Sequence, residues 1–177
     1  MSGDERQAPG KKLGQGMLIA TFALGLGALT LVFDGWLAGE ANPNRNPASF
    51  QLEGGIREVQ LERNRQGHYV ANGAINDIPV TFLLDTGATD VAISAEIAER
   101  ARLETGAAQQ AFTANGAVRT YATVVDNLEI GNIRLRDVRA SITPSMTGDI
   151  ILLGMSALQH VEFSQRGSVL TLRQYPD

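Results

Sequence analysis

Val80-Thr81-Phe82-Leu83-Leu84-Asp85-Thr86-Gly87-Ala88-Thr89-Asp90 runs from an apolar, strand-forming segment straight into an acid, a hydroxyl and a glycine. A carboxylate is costly to bury, so an acid at the end of an apolar run needs donors aimed at it. A tight turn supplies them as the backbone N–H groups of Gly87 and Ala88, and Thr86 is placed to tie the loop by a side-chain hydrogen bond. The same residues also satisfy a plainer role, in which Asp85 only begins a turn after a strand. These eleven residues alone leave both roles open.

On either side of this segment the hydrophobic period is mostly two. Val59 and Leu61 alternate with Gln60 and Glu62, and the run from His68 to Ile75 ends at an Asn76-Asp77 turn before Ile78 to Leu84 continues extended. Ala111 to Val125 reads as a hairpin with its tip at Ala114-Asn115-Gly116, because Asn-Gly is a strong hairpin-turn signal. Strand signals recur at Leu128 to Ile130, Ile133 to Leu135, Val138 to Ile142 and Ser168 to Arg173. Ser94 to Leu103 carries a helical stripe with Ser94 as N-cap, and a second short helix is expected at Met155 to Gln159. The expected inventory is about eight strands and two short helices.

The chain has 177 residues with 15 Lys+Arg, 19 Asp+Glu, 2 His and no Cys, for a formal charge of -4. Lack of cysteine excludes disulfides, a thiol nucleophile and Cys-based zinc sites, and the mildly acidic balance speaks against a nucleic-acid partner. Met17 to Phe33 holds no charge. Extended to Gly14, it gives about 20 residues, which as an α-helix cross a hydrocarbon core of roughly 30 Å. Lys11 and Lys12 before it and Asp34 and Glu40 after it put the N-terminus in the cytoplasm and the rest outside, with Trp36 at the far interface. A cleaved signal peptide is the competing interpretation, and it also exports the remainder. The expected organisation is a cytoplasmic tail at 1–13, a transmembrane helix at 14–37, a linker rich in Asn and Pro at 38–51, and one domain at 52–177.

Ile150-Ile151-Leu152-Leu153-Gly154 opens a second informative segment, four aliphatics and a glycine ahead of the expected short helix. Asp85-Thr86-Gly87-Ala88-Thr89 together with Leu152-Leu153-Gly154 resembles the retropepsin-like aspartic proteases, and the N-terminal apolar helix resembles their bacterial membrane-anchored branch. The resemblance covers about Val59 to Leu172. It implies an all-β fold, a closed acid-protease barrel with one or two short helices, preceded by one N-terminal transmembrane helix. It also implies that Asp85 is the catalytic acid in a loop completed by Thr86 and Gly87. Ala88, Thr89 and Asp90 would border the substrate, and the hairpin at Ala114, Asn115 and Gly116 would be a flap over it. Leu152-Leu153-Gly154 would thread behind the loop.

Aspartic proteolysis needs two carboxyl groups sharing a proton, one activating water and the other polarising the scissile carbonyl. The chain has one Asp-Thr-Gly. Two copies paired about a twofold axis supply the second, so a homodimer acting on a polypeptide substrate is expected, with no cofactor and no metal. Other classes fit less well. Gly154-Met155-Ser156-Ala157-Leu158 lacks the closing glycine of a nucleophile elbow, and two histidines without metal-ligand spacing make a poor zinc site. Asp90, after the Asp-Thr-Gly loop, is placed to orient it or to touch substrate, while Asp149, before the apolar run, is placed to cap a turn. A non-catalytic, membrane-tethered peptide-binding module on the same fold is the alternative from another class.

Overall fold

The structure, a computed structural model, describes residues 10–113 and 116–176. It divides into two units, Met1–Gly39 and Glu40–Asp177. Helix α1, Gly10–Ala41, dominates the first. Its segment Gly14–Val32 has a mean hydropathy of 1.8 and is long and apolar enough to cross a membrane, a character that a signal sequence near an N-terminus shares. The two threonine hydroxyls within this segment donate to carbonyls one turn back, Thr21 to Met17 at 2.9 Å and Thr30 to Leu26 at 2.8 Å. An apolar medium therefore meets no unsatisfied hydroxyl there.

The second unit is β-rich. Its strands are β1 Ala48–Gln51, β2 Arg57–Glu62, β3 Val70–Ile75, β4 Ile78–Leu84, β5 Val91–Ser94, β6 Ala108–Thr113, β7 Gly116–Ile130, β8 Ile133–Thr143, β9 Ile150–Leu153, β10 Glu162–Arg166 and β11 Val169–Gln174. Helices α2, Ala95–Arg100, and α3, Met155–Leu158, follow β5 and β9. Strands β3-β4-β9-β5-β8-β7-β6 form one sheet, and a further pairing of β3 with β7 closes six of them into a barrel with β6 outside the ring. Gly73 permits that closure, since a Cβ there would lie 2.6 Å from the Phe82 ring and collide with the Glu129 carbonyl of β7. The antiparallel sheet β1-β2-β11-β10 completes the unit.

Alternation explains the packing. Val59 and Leu61 on β2, Phe82 on β4, Ile133 and Leu135 on β8, and Leu170 and Leu172 on β11 point inward with Ile97 of α2, while the residues between them face outward or stay partly exposed. Burying each such side chain stabilises the fold by roughly 1.5–3 kcal/mol. The Asn76-Asp77 turn has φ of 45° and 66° at its two residues, the left-handed pair that a two-residue hairpin requires. Ser94 caps α2 by accepting the Ile97 N–H at 3.3 Å.

Among the described residues the strands number eleven rather than about eight. β1, β5, β9 and β10 have four or five residues each and no clean alternation, and β10 is exposed throughout. The signals at Leu128 and Ile133 belong to the long strands β7 and β8, paired from Tyr121–Ile142 to Ile130–Ile133. Part of the segment expected as a linker is structured. β1 pairs with β2, and buried Asn44 donates to the carbonyls of Glu62 at 2.9 Å and Val70 at 2.7 Å while accepting the Glu62 N–H at 2.6 Å. One amide side chain thus joins the start of the unit to the ends of two strands.

Candidate active site

β4 carries the chain to Asp85, and β9 lies beside it in parallel register from Thr81–Ile150 to Leu84–Leu153. β5 lies on the other side of β9, joined through Ala92 and Leu152. The 85–90 loop therefore arches over the end of β9, and Leu152-Leu153-Gly154 passes behind it.

Backbone hydrogen bonds fix this loop. The Asp85 N–H donates to the Leu153 carbonyl at 3.1 Å, and the Ala88 N–H closes a turn on the Asp85 carbonyl at 3.1 Å. One carboxylate oxygen, Oδ1, accepts the Gly87 N–H at 2.9 Å. Asp85 is half-buried, while Thr86, Gly87 and Thr89 are exposed. The acid thus stands at a surface with one oxygen oriented by the loop.

The brace behind the loop is tight. Met155 N–H donates to Ala88 O at 2.8 Å and Ser156 N–H to Thr89 O at 2.9 Å. A Cβ on Gly154 would sit 2.7 Å from Ala88 O and collide with Asp90 O. The Gly154 backbone, at φ -85° and ψ -175°, is open to any residue, so what the site demands is space. Ser156 is 3% exposed; its Oγ accepts the Val91 N–H at 3.0 Å and donates to the Arg139 carbonyl at 2.7 Å. The hydroxyl's donor and one of its acceptor positions are used in joining β5, α3 and β8, a bracing role at a buried position.

Asp90 pairs with Arg139 on β8, Nε to Oδ1 at 2.7 Å, with the Asp90 side chain 24% exposed. The pair ties the end of the loop to β8. Asp149 pairs with Arg100 at 3.0 Å at an exposed position, and its carbonyl accepts the Thr81 N–H at 3.3 Å rather than a donor of the 85–90 loop. The expected hairpin is present: β6 and β7 pair from Ala108–Tyr121 to Thr113–Gly116. Gly116 has φ 108° and is exposed, whereas Ala114 and Asn115 lie outside the described residues. Tyr121 packs against the barrel core and Arg119 is exposed.

The bracing role of Ser156 escaped the sequence, as did two further features. Phe112, near the hairpin end, is 84% exposed, an aromatic that no alternation marked as outward. Arg139 sits in an Arg-rich strand where nothing singles it out as the partner of Asp90. Among the described residues no group of three or more His, Asp or Glu is placed to hold a metal ion.

A closed barrel with an Asp-Thr-Gly loop braced by an aliphatic-Gly segment defines a retropepsin-like aspartic-protease fold. A solved retropepsin-like aspartic protease from Rickettsia conorii has this fold, matching with a TM-score of 0.54 at 23% identity over 73% of this chain and 95% of that one. The chain belongs to the family described as "gag-polyprotein putative aspartyl protease", whose model matches residues 71–160. Two curated relatives are an uncharacterized protein in the cobV 5' region of Sinorhizobium sp, 31% identical over 123 residues, and uncharacterized protein RP867 of Rickettsia prowazekii (strain Madrid E), 26% identical over 114 residues. The matches cover 67% and 63% of this chain but 53% and 48% of those proteins, so the chain spans about half the length of the curated relatives it matches.

Proposed function

We propose that the protein is an aspartic endopeptidase whose catalytic centre forms when two copies pair and bring their Asp85 carboxyls together. The observation that carries this reading is the Asp85 loop: a half-buried acid with one oxygen held by the Gly87 N–H, braced from behind and bordered by exposed residues. An acid kept only for turn chemistry has no need of the bracing by Gly154, Met155 and Ser156.

In the paired state one carboxyl is protonated and the other is not, since two carboxylates in contact do not both stay ionised. The ionised group takes a proton from water as the water oxygen attacks the scissile carbonyl carbon. The protonated group donates a hydrogen bond to the carbonyl oxygen as it gains charge. Collapse of the tetrahedral adduct breaks the C–N bond, and a carboxyl proton passes to the leaving amine. Thr86 and Gly87 complete the loop, Ala88, Thr89 and Asp90 border an extended polypeptide, and the hairpin of Ala114, Asn115 and Gly116 covers it. The apolar run within 14–37 anchors the chain in a membrane with the N-terminus cytoplasmic, and the β-rich unit that follows, with β1 and Asn44 included, is extracytoplasmic. Confinement to one plane raises the effective concentration of the two copies.

Cleavage of a mixed peptide library between about pH 4 and pH 7 tests this proposal. Asp85→Asn is expected to lower turnover at least about 10²-fold, the scale of a lost general acid–base group, with folding retained. Peptide binding without cleavage in the native chain points instead to a tethered peptide-binding module, and cleavage unaffected by Asp85→Asn refutes the assignment of Asp85.

A further inference from the structure

Away from the Asp85 loop, Arg57 of β2, Arg134 and Arg136 of β8, and His160 after α3 line a polar hollow of about 450 Å³ together with Gln174 and Tyr175. No acidic residue lines it. Glu129 offsets one guanidinium, lying 3.2 Å from Arg134 Nε. Among the described residues no carboxylate pairs with Arg57, Arg136 or His160. The next arginine along the sheet, Arg173, is committed elsewhere, to Glu58 at 2.7 Å and Glu162 at 4.0 Å. For a chain of formal charge -4, this is a local reversal of sign.

The hollow is also held in shape. The Gln174 amide, at the end of β11, accepts the Arg134 N–H at 3.1 Å and donates to the Arg134 carbonyl at 2.6 Å, tying β11 to β8. Arg57 Nη1 reaches the same Gln174 Oε1 at 3.4 Å. Arg134 and Arg136, two apart on one strand, present their side chains on the same face. A second hollow of about 210 Å³, formed by Gly55, Arg57, Gln174, Tyr175 and Pro176, adjoins the first through three shared residues. Guanidinium forks match phosphate oxygens in pairs, and the combined space exceeds what a bare inorganic anion fills.

We infer that this hollow is a binding site for an anion carrying a phosphate or pyrophosphate group, recognised by Arg57, Arg134 and Arg136 with His160 at its edge. The phosphate belongs either to a soluble anion or to a lipid headgroup. The test uses the full chain in uncharged detergent micelles, titrated calorimetrically with pyrophosphate, and separately in the same micelles doped with phosphatidylglycerol or phosphatidylcholine. Saturable binding is expected, weakened about tenfold or more by Arg57→Gln or Arg136→Gln, as for loss of a charge-assisted hydrogen bond, and unchanged by Arg166→Gln on β10. Arg57→Lys, which keeps the charge and removes the fork, is expected to fall between native and Gln variants. Pyrophosphate binding with this dependence identifies a soluble source. Preference for phosphatidylglycerol alone, with the same dependence, identifies a headgroup. Absence of both responses, or either response undiminished in the Arg57→Gln/Arg136→Gln double variant while circular dichroism reports a native fold, overturns the site.

Discussion

Replacing Gly154 by alanine adds one methyl group at the tightest point behind the Asp85 loop. The new Cβ meets Ala88 O at 2.7 Å and collides with Asp90 O, both of them backbone atoms that cannot rotate away. Either the loop or the start of α3 must move. Over-packing of this kind costs about 1–3 kcal/mol. The movement also stretches the Met155–Ala88 and Ser156–Thr89 hydrogen bonds, now 2.8 and 2.9 Å, each with a net value near 1 kcal/mol. Loss of both bonds brings the sum to about 3–5 kcal/mol, a large share of an ordinary domain's ~5–15 kcal/mol. Urea unfolding of the full chain in uncharged detergent, followed by circular dichroism, reads this directly. Cleavage is expected to fall further than stability, because the displaced loop is the one that orients Asp85. An unfolding free energy within about 0.5 kcal/mol of the native chain, the range of an inconsequential surface change, refutes the proposed close approach.

Three other perturbations separate the bracing from the general fold. Ser156→Ala leaves the buried Val91 N–H and Arg139 carbonyl without their shared partner and is expected to cost about 1–3 kcal/mol in the same urea assay, whereas Ser156→Thr keeps the hydroxyl. Asn44→Ala orphans the Glu62 N–H and two carbonyls at the ends of β2 and β3, and a loss of about 2–4 kcal/mol is expected; a loss below about 0.5 kcal/mol shows that the 38–51 segment is not part of the fold. Glu58 is buried on β2, and its hydrogen bond with Arg173, helped by Gln60, holds its carboxyl below the ordinary 4.5. Its contribution is therefore complete above about pH 4.5 and is lost as pH falls through the depressed folded value. Thermal midpoints measured from neutral to acidic pH are expected to drop more steeply for the native chain than for Glu58→Gln, and parallel curves rule this linkage out.

The barrel strands were legible where one face meets the core and the other meets solvent. Val59 and Leu61, or Ile133 and Leu135, alternate because sheet geometry puts every second side chain inward, and the Asn76-Asp77 turn reads directly from the need for positive φ. β9 alternates in burial, with Ile151 and Leu153 inward and Ile150 exposed, but all four of its residues are aliphatic, so the sequence presents a continuous apolar run that periodicity cannot assign. β10 is an exposed edge strand whose only evidence is its pairing with β11. At the site, Asp85, Thr86 and Gly87 stood out because strand, acid and glycine are contiguous. Arg139 and the bracing hydroxyl of Ser156 did not, since their partners lie 49 and 65 residues away and only the folded sheet brings them together.

Mixing native chains with Asp85→Asn chains tests most directly whether one working site draws an acid from each of two copies. Equal amounts of the two chains are co-reconstituted at fixed total protein under conditions that let copies exchange, and peptide cleavage is measured per total chain. If each site needs two Asp85 carboxyls, random pairing leaves about a quarter of the sites intact, and the rate falls to roughly 25% of that of the all-native sample. A rate near 50%, falling in proportion to the native fraction, means that each copy works alone and contradicts the shared site.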